Sequence, residues 1–301
     1  MGRTPALLAD TVRQRAGESE GEATVLADRP DGTVVRCGGL VAKAHAPDAD
    51  PAALAVRVEV AAHPRCAGIL LPPVGRVGAL PNGRRVTLWP YGEPVSPEEP
   101  EAAPWEEAGA LLARLHAVPV GGLPGPLPAM RGPAKAARAI ARLRAAEGLN
   151  EAAAQAVLRA WGGLPGWARG EARTGGGALC HGDLHLGQLV RHGDWLLIDV
   201  DDLGLGDPAW DLARPAAWYA AGLLAPEDWE RFLGAYRTAG GSAAGHHDPW
   251  PRLDVPARAL TVQTAALALA KAAAARRALD EAEEAMVEAC VRIARFTEAV
   301  G

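Results

Sequence analysis

The chain reads as an α+β fold in two parts, a small β-rich lobe over residues 1–92 and a larger, mostly helical lobe over residues 93–301. Three observations predict it. Up to Gly92, short apolar runs alternate with turn chemistry at strand spacing. Beyond Gly92, apolar residues recur at the i, i+3, i+4, i+7 spacing of buried helix faces. The exception lies in residues 179–199, where short apolar runs flank His192-Gly193-Asp194 as in a hairpin.

In the first lobe, Thr11 to Arg15 closes a short N-terminal helix. Ala23-Thr24-Val25-Leu26 and Thr33-Val34-Val35-Arg36 are strand-like runs on either side of the turn Pro30-Asp31-Gly32. Leu40-Val41-Ala42-Lys43-Ala44 is a third. Its single lysine in an apolar run is either an inward charge or a solvent-facing lysine on an edge strand. Asp48 to His63 forms a helix, with Asp50-Pro51 as N-cap and first helical residue and Leu54, Val58 and Ala61 on one face. Glu59 is the acid within its body, either an ion-pair partner for Lys43 or a solvated charge. Strands near Val74–Val77 and Arg85–Leu88 complete the lobe.

The second lobe begins with an acidic linker, Pro97 to Pro104, and a helix through Trp105 to His116 that buries Ala108, Leu111, Leu112 and Leu115. A Pro/Gly-rich loop over Gly121 to Pro128 precedes two helices, Ala134 to Glu147 and Glu151 to Trp161. After the hairpin, Asp207-Pro208 starts another helix by the same cap logic, and further helices follow at Pro226 to Tyr236, Pro256 to Leu279 and Glu281 to Ala299. The last has Met286, Val287, Cys290, Val291 and Ala294 at core spacing. Its other face carries Asp280, Glu281, Glu283, Glu284 and Glu288, either a wall for a polycationic ligand or a solvated surface.

Composition narrows the function classes. At 301 residues and 49% apolar, the chain is long and apolar enough for a large buried core. A net charge of −5 argues against a nucleic-acid-binding surface. Cys37, Cys66, Cys180 and Cys290 are scattered, as expected of reduced thiols in a cytosolic protein. Leu7-Leu8 is interrupted by Asp10 and Arg13, and no apolar run is long enough to span a bilayer, so a soluble, cytoplasmic protein without membrane or nucleic-acid partners is expected.

The chemistry concentrates around the hairpin. Antiparallel pairing across its turn puts Gln188 beside Asp199, with the Asp183 loop immediately above. A carboxylate on a tight loop, an amide and a second carboxylate suit phosphoryl transfer. That reaction needs a group to orient the attacking hydroxyl and oxygen ligands for the Mg2+ that bridges ATP phosphates. Taken singly, a loop aspartate is usually a turn or cap residue. Asp201 and Asp202 are extra ligands, contacts to a cationic acceptor, or loop charges. His181 and His185 have helical i, i+4 spacing, but Gly182 between them and the lack of a suitable cysteine pattern argue against zinc.

At these residues the chain resembles the aminoglycoside phosphotransferase and choline kinase superfamily, small-molecule kinases with a protein-kinase-like fold. His181-Gly182-Asp183, with an amide residue five positions on, is similar to that family's catalytic loop. Ile198-Asp199, followed by Leu205-Gly206-Asp207-Pro208-Ala209-Trp210-Asp211-Leu212-Ala213, is similar to its metal-binding segment and the helix after it. The family usually has Asn where this chain has Gln188; His185-Leu186-Gly187-Gln188 looks like the variant loop of its maltokinase-like branch. The resemblance implies Asp183 as the residue that orients or deprotonates the acceptor, Gln188 and Asp199 as Mg2+ ligands, and Lys43 as the third-strand lysine, with Glu59 as candidate partner. It also implies a phosphate-covering loop at Gly17-Glu18-Ser19-Glu20-Gly21, where Ser19 adds a donor, or else an ordinary hairpin turn. Trp89-Pro90-Tyr91-Gly92 resembles the hinge where adenine meets backbone groups. Since Pro90 has no N–H, a contact there falls to a neighbour such as Tyr91; Trp89 and Tyr91 alternatively form interlobe core. Asp211 would brace the catalytic loop, and His116 would be a structural hydrogen-bonding histidine.

The function so implied is ATP-dependent transfer of the γ-phosphate to a hydroxyl of a small polar acceptor: an aminoglycoside, an amino sugar or a sugar. The alternative is a pseudokinase or nucleotide-dependent binding module, suggested by the two glutamates in the phosphate loop and by Gln188, and opposed by retention of Lys43, Asp183 and Asp199. A protein-kinase activity fits less well, because the chain goes directly from Asp199 into Gly206-Asp207-Pro208 instead of a long activation segment.

Overall fold

The structure, a computed structural model, describes residues 3–16, 22–171 and 177–300. In chain order its elements begin with α1 (Arg3–Ala16), β1 (Ala23–Arg29), β2 (Gly32–Cys37), β3 (Leu40–His45) and α2 (Pro51–Ala61). Strands β4 (Gly78–Ala79), β5 (Arg85–Pro90) and β6 (Glu93–Pro94) lead to helices α3 (Trp105–His116), α4 (Gly132–Ala145) and α5 (Glu151–Gly162). Then come β7 (Ala178–Cys180), β8 (Leu189–His192), β9 (Asp194–Leu197) and β10 (Gly204–Gly206). Helices α6 (Ala209–Ala221), α7 (Pro226–Thr238), α8 (Trp250–Ala275) and α9 (Glu281–Val300) close the chain. The fold is α+β, as the sequence predicts, and the chain divides into two compact units.

The first unit comprises residues 1–103, 118–128 and 187–201. Its five-stranded antiparallel sheet runs β1-β2-β3-β5-β4. Successive side chains of a strand point to opposite faces. On β3, Ala42 and Ala44 enter a core with Leu8 and Val12 of α1, Val35, Val86 and Leu88. Lys43 and His45 therefore lie on the other face, with Thr87 opposite Lys43 in register. Asp50 caps α2 as expected, its carboxylate accepting from the N–H groups of Ala52 and Ala53 at 2.9 and 3.2 Å.

The predicted hairpin is present, with Leu189 opposite Leu197 and His192 opposite Asp194. Gly193, at φ 77°, makes the left-handed turn. β6 pairs with β8, and Gly92 has to be glycine because an added Cβ would lie 2.5 Å from Val190. The hairpin is tied to residues 69–71 through Leu197 N–H to Ile69 O and Leu71 N–H to Leu197 O, both 2.9 Å.

Two predicted elements differ. Residues 74–77 form no strand; the pairing with β5 falls on Gly78–Ala79, because Gly75 turns the chain at φ 80°. Helix α8 starts at Trp250, not Pro256. The Asp248 carboxylate accepts from Trp250 N–H at 3.0 Å, and Pro256 sits inside the helix.

The second unit comprises residues 104–117, 129–186 and 202–301. Helix α8 is central, packing against α4, α5, α6 and α9, while α3 pairs with α7. Gly109 permits that last approach, since a Cβ there would collide with the backbone carbonyl of Phe232. β7 and β10 form a short antiparallel ladder that leads directly into the Asp183 loop. The acids of α9 are largely exposed, and Glu283 is paired with Arg277 at 2.6 Å.

Candidate active site

In the first unit, the end of β9 delivers Asp199 in the left-handed region, at φ 63°. Asp and Asn tolerate this conformation better than other side chains with a Cβ. Asp199 Oδ1 is 2.6 Å from Lys43 Nζ, and its Oδ2 is 3.5 Å from Gln188 Nε2. The register that brings them together is the hairpin's own, with Ile198 N–H donating to Gln188 O at 2.9 Å. Lys43 also contacts Asp201 Oδ2 at 3.0 Å. Burial by itself would lower the Lys43 pKa, but the carboxylates of Asp199 and Asp201 hold it above the ordinary lysine range.

Behind this pair stands buried His45. Its Nε2 is 2.8 Å from Thr87 Oγ1, and its Nδ1 is 2.9 Å from Asp201 Oδ1, within ion-pair distance but off the line of a hydrogen bond. Trp89 Nε1 donates to the same Thr87 hydroxyl at 2.9 Å. The sequence reading singled out neither His45 nor Thr87, although the period-2 spacing of Lys43 and His45 was available.

Three expectations need correction or placement. Glu59 is exposed and the ion pairs of Lys43 run to Asp199 and Asp201: α2 buries Leu54, Arg57, Val58 and Val60, which turns Glu59 to solvent. The Tyr91 N–H is engaged by Gly39 O at 2.7 Å, so it is not free for adenine, and its carbonyl faces His192 Nδ1 at 3.0 Å. Trp89 is buried within the sheet, opposite Val41. Ser19 lies outside the described residues.

In the second unit, β7 runs into the loop carrying His181, Gly182 and Asp183. Gly182 has φ 84°, and a Cβ there would collide with the Asp202 carbonyl, so this turn requires glycine. The loop is held from below by buried Asp211 on the first turn of α6. Asp211 accepts from the backbone N–H groups of His181 and Gly182, each at 2.7 Å, and contacts His116 Nε2 at 2.9 Å. His116 Nδ1 is 3.0 Å from Tyr236 Oη. Asp211 and His116 thus brace the loop. Cys180 lies beside them, its thiol pushed well above the ordinary range by burial, which opposes thiolate formation and metal ligation there.

Asp183 is gripped on both oxygens, by Arg214 Nη2 at 2.5 Å and Lys135 Nζ at 2.7 Å. Lys135 also contacts Asp202 Oδ2 at 2.7 Å, and Arg131 approaches Asp202 Oδ1 at 3.4 Å. Burial would raise the Asp183 pKa, but the Lys135 and Arg214 cations outweigh it and hold the carboxyl well below the usual range. The sequence reading missed both cations. One signal was available for Lys135: Lys43, Lys135 and Lys271 are the chain's three lysines among 31 basic residues, and two of them sit in these clusters.

The model of the phosphotransferase enzyme family matches residues 33–256, and the chain belongs to that family. It is a small-molecule kinase with a hydroxyl acceptor. In fold it is similar to a choline/ethanolamine kinase family protein from Mesorhizobium loti (19% identity, TM-score 0.62, covering 98% of this chain and 93% of that one). It is also similar to the spectinomycin phosphotransferase APH(9)-Ia in complex with ADP and spectinomycin (14%, 0.62, 92% and 93%). A third is a thermostable mutant of the aminoglycoside phosphotransferase APH(4)-Ia with AMP-PNP and hygromycin B (16%, 0.60, 98% and 99%). No curated protein matches the chain by sequence. None of its helices, among the described residues, is long and apolar enough to cross a membrane.

Proposed function

We propose that this chain uses ATP and Mg2+ to phosphorylate a hydroxyl of a small polar molecule, an aminoglycoside, amino sugar or sugar. The observation that carries the reading is the convergence of Lys43, Gln188 and Asp199 in one cluster of the first unit. Fold neighbours bound to ADP with spectinomycin and to AMP-PNP with hygromycin B support a nucleotide and a small-molecule acceptor here.

A carboxylate and an amide offer the hard oxygen donors that Mg2+ prefers, so the residues fit that ion. Asp199 and Gln188 would hold it, the Gln188 amide turning its Oε1 to the Asp199 side. When bound, the metal neutralises charge on the ATP phosphates. Lys43 donates to phosphate oxygens, its ammonium kept protonated by Asp199 and Asp201. Asp183 accepts the hydrogen bond of the acceptor hydroxyl. With its pKa held low it is a weak base, so its role is to orient rather than to deprotonate, which suits a loose transition state. The acceptor oxygen bonds to the γ-phosphorus as the bond from that phosphorus to the β,γ-bridging oxygen breaks. ADP leaves, and the hydroxyl proton is lost to solvent once the monoester has formed.

The test is ATP turnover with Mg2+ across amino, neutral and cationic polyols, with Asp183→Ala as the blank. Asp183→Ala should abolish turnover and keep nucleotide affinity; Asp199→Ala should weaken Mg-nucleotide binding as well. Wild-type turnover by Asp183→Ala would sink the assignment, and ATP binding without turnover on any acceptor would favour the binding-module alternative.

A further inference from the structure

Behind Lys43 in the first unit lies a chain of polar groups to which the phosphotransfer chemistry assigns no task. His45 and Thr87 are each 1% exposed. The Thr87 hydroxyl accepts from Trp89 Nε1 at 2.9 Å, and its one remaining hydrogen-bond partner among the described residues is His45 Nε2 at 2.8 Å. A buried hydroxyl that failed to donate would be costly, so Nε2 is the accepting nitrogen and the ring proton sits on Nδ1.

That proton faces Asp201. His45 Nδ1 is 2.9 Å from Asp201 Oδ1, both atoms are buried, and neither makes a hydrogen bond among the described residues. They are a complementary donor and acceptor that a small turn of the Asp201 carboxylate would align. The other Asp201 oxygen, Oδ2, meets Lys43 Nζ at 3.0 Å. Asp199, the second carboxylate on Lys43, is the one proposed to hold Mg2+, which leaves Asp201 as the group that aims the ammonium. His45 is itself firmly held: it pairs with Gly32 in the β2–β3 register, and its carbonyl accepts from Arg84 Nε at 2.8 Å.

We infer that His45 is a positioning residue for nucleotide binding: its Nδ1–H holds Asp201, and Asp201 in turn aims Lys43 at the phosphates. The inference rests on the phosphotransfer reading of the Lys43 cluster and extends that cluster to His45 and Thr87.

The test titrates the full chain with AMP-PNP and Mg2+ by calorimetry, without acceptor, in wild type, His45→Gln and His45→Asn. A glutamine amide reaches the place of Nε2 and keeps Thr87, whereas an asparagine amide reaches the place of Nδ1 and keeps Asp201. His45→Gln should therefore bind AMP-PNP about fivefold more weakly, while His45→Asn should stay within about twofold of wild type. Asp201→Ala should weaken binding too, and adding His45→Gln to it should weaken binding no further. A merely structural histidine would lower Tm in both His45 variants and leave their AMP-PNP affinity unchanged. That result would overturn the inference, as would additive effects in the double variant. If neither His45 variant folds, nitrogen NMR spectra of the wild-type imidazoles decide. An Nδ1–H tautomer at His45 whose resonance moves with AMP-PNP and Mg2+ upholds the inference; an Nε2–H tautomer, or a resonance blind to nucleotide, overturns it. A wild type with no affinity for AMP-PNP would instead fail the phosphotransfer reading itself, and the inference with it.

Discussion

Asp211→Ala isolates what holds the catalytic loop in shape. The carboxylate is 1% exposed and meets two backbone N–H groups and an imidazole at 2.7–2.9 Å. Alanine removes all three partners at once and leaves the N–H groups of His181 and Gly182 buried without an acceptor. At about 1–3 kcal/mol for each abandoned polar group, and with the buried charge removed together with its desolvation cost, the net loss is about 3–5 kcal/mol. For a chain of this size that is a fall in Tm of about 5–8 °C. Asp211→Asn keeps one acceptor oxygen but turns an NH2 toward the second N–H, so it should fall in between. Thermal unfolding followed by circular dichroism reads the stability, and kcat reads the loop, since a displaced Asp183 loses turnover even in the fraction still folded. A Tm within about 2 °C of wild type would refute the argument, because that is the effect of an ordinary surface substitution and no braced loop could lose its brace so cheaply.

Two further outcomes follow from the same geometry. Glu59→Gln should leave the KM for ATP unchanged, since Glu59 is exposed, whereas Asp201→Asn should raise it several-fold by releasing Lys43 from a 3.0 Å contact; steady-state kinetics on the pair decides. Asp183 and Asp211 have pKa values lowered in the fold, so their stabilisation is present above the ordinary carboxylate range and is lost as pH falls through their folded values. Unfolding should therefore steepen below about pH 4, and an Asp211→Asn protein melted over the same range should show a shallower decline.

The hairpin and the placement of Gln188 beside Asp199 were legible because their information is local. Two apolar runs around a Gly turn fix a register, and the register fixes which residues sit beside Asp199. The same was true of α2, whose Asp50-Pro51 start is a matter of neighbouring residues. What could not be read depended on which face a helix buries, or on partners from distant stretches. Glu59 was plausible as the acid of α2, but its helix turns Arg57 and Val60 inward instead. Arg214 and Lys135 come from separate helices and meet only through Asp183. Pro256 looked like a helix start because proline suits a first turn, and Asp248 capping an earlier turn overrode that local preference.

The division of the chain also bears on the order in which the protein can be made. The first unit contains residues 187–201, and the hairpin of that segment is the partner of β6 and of residues 69–71. A nascent chain that has emerged only as far as residue 103 lacks that hairpin, so the backbone groups of Ile69 and Leu71 that it engages, and the edge of β6, have no partner yet. Synthesis must deliver α3, α4, α5 and β7 before the first unit can close. An N-terminal fragment is therefore an incomplete object rather than a detachable nucleotide-binding domain, and a gene cut at the apparent lobe boundary would express the five-stranded sheet without the separate ladder that the hairpin forms with β6.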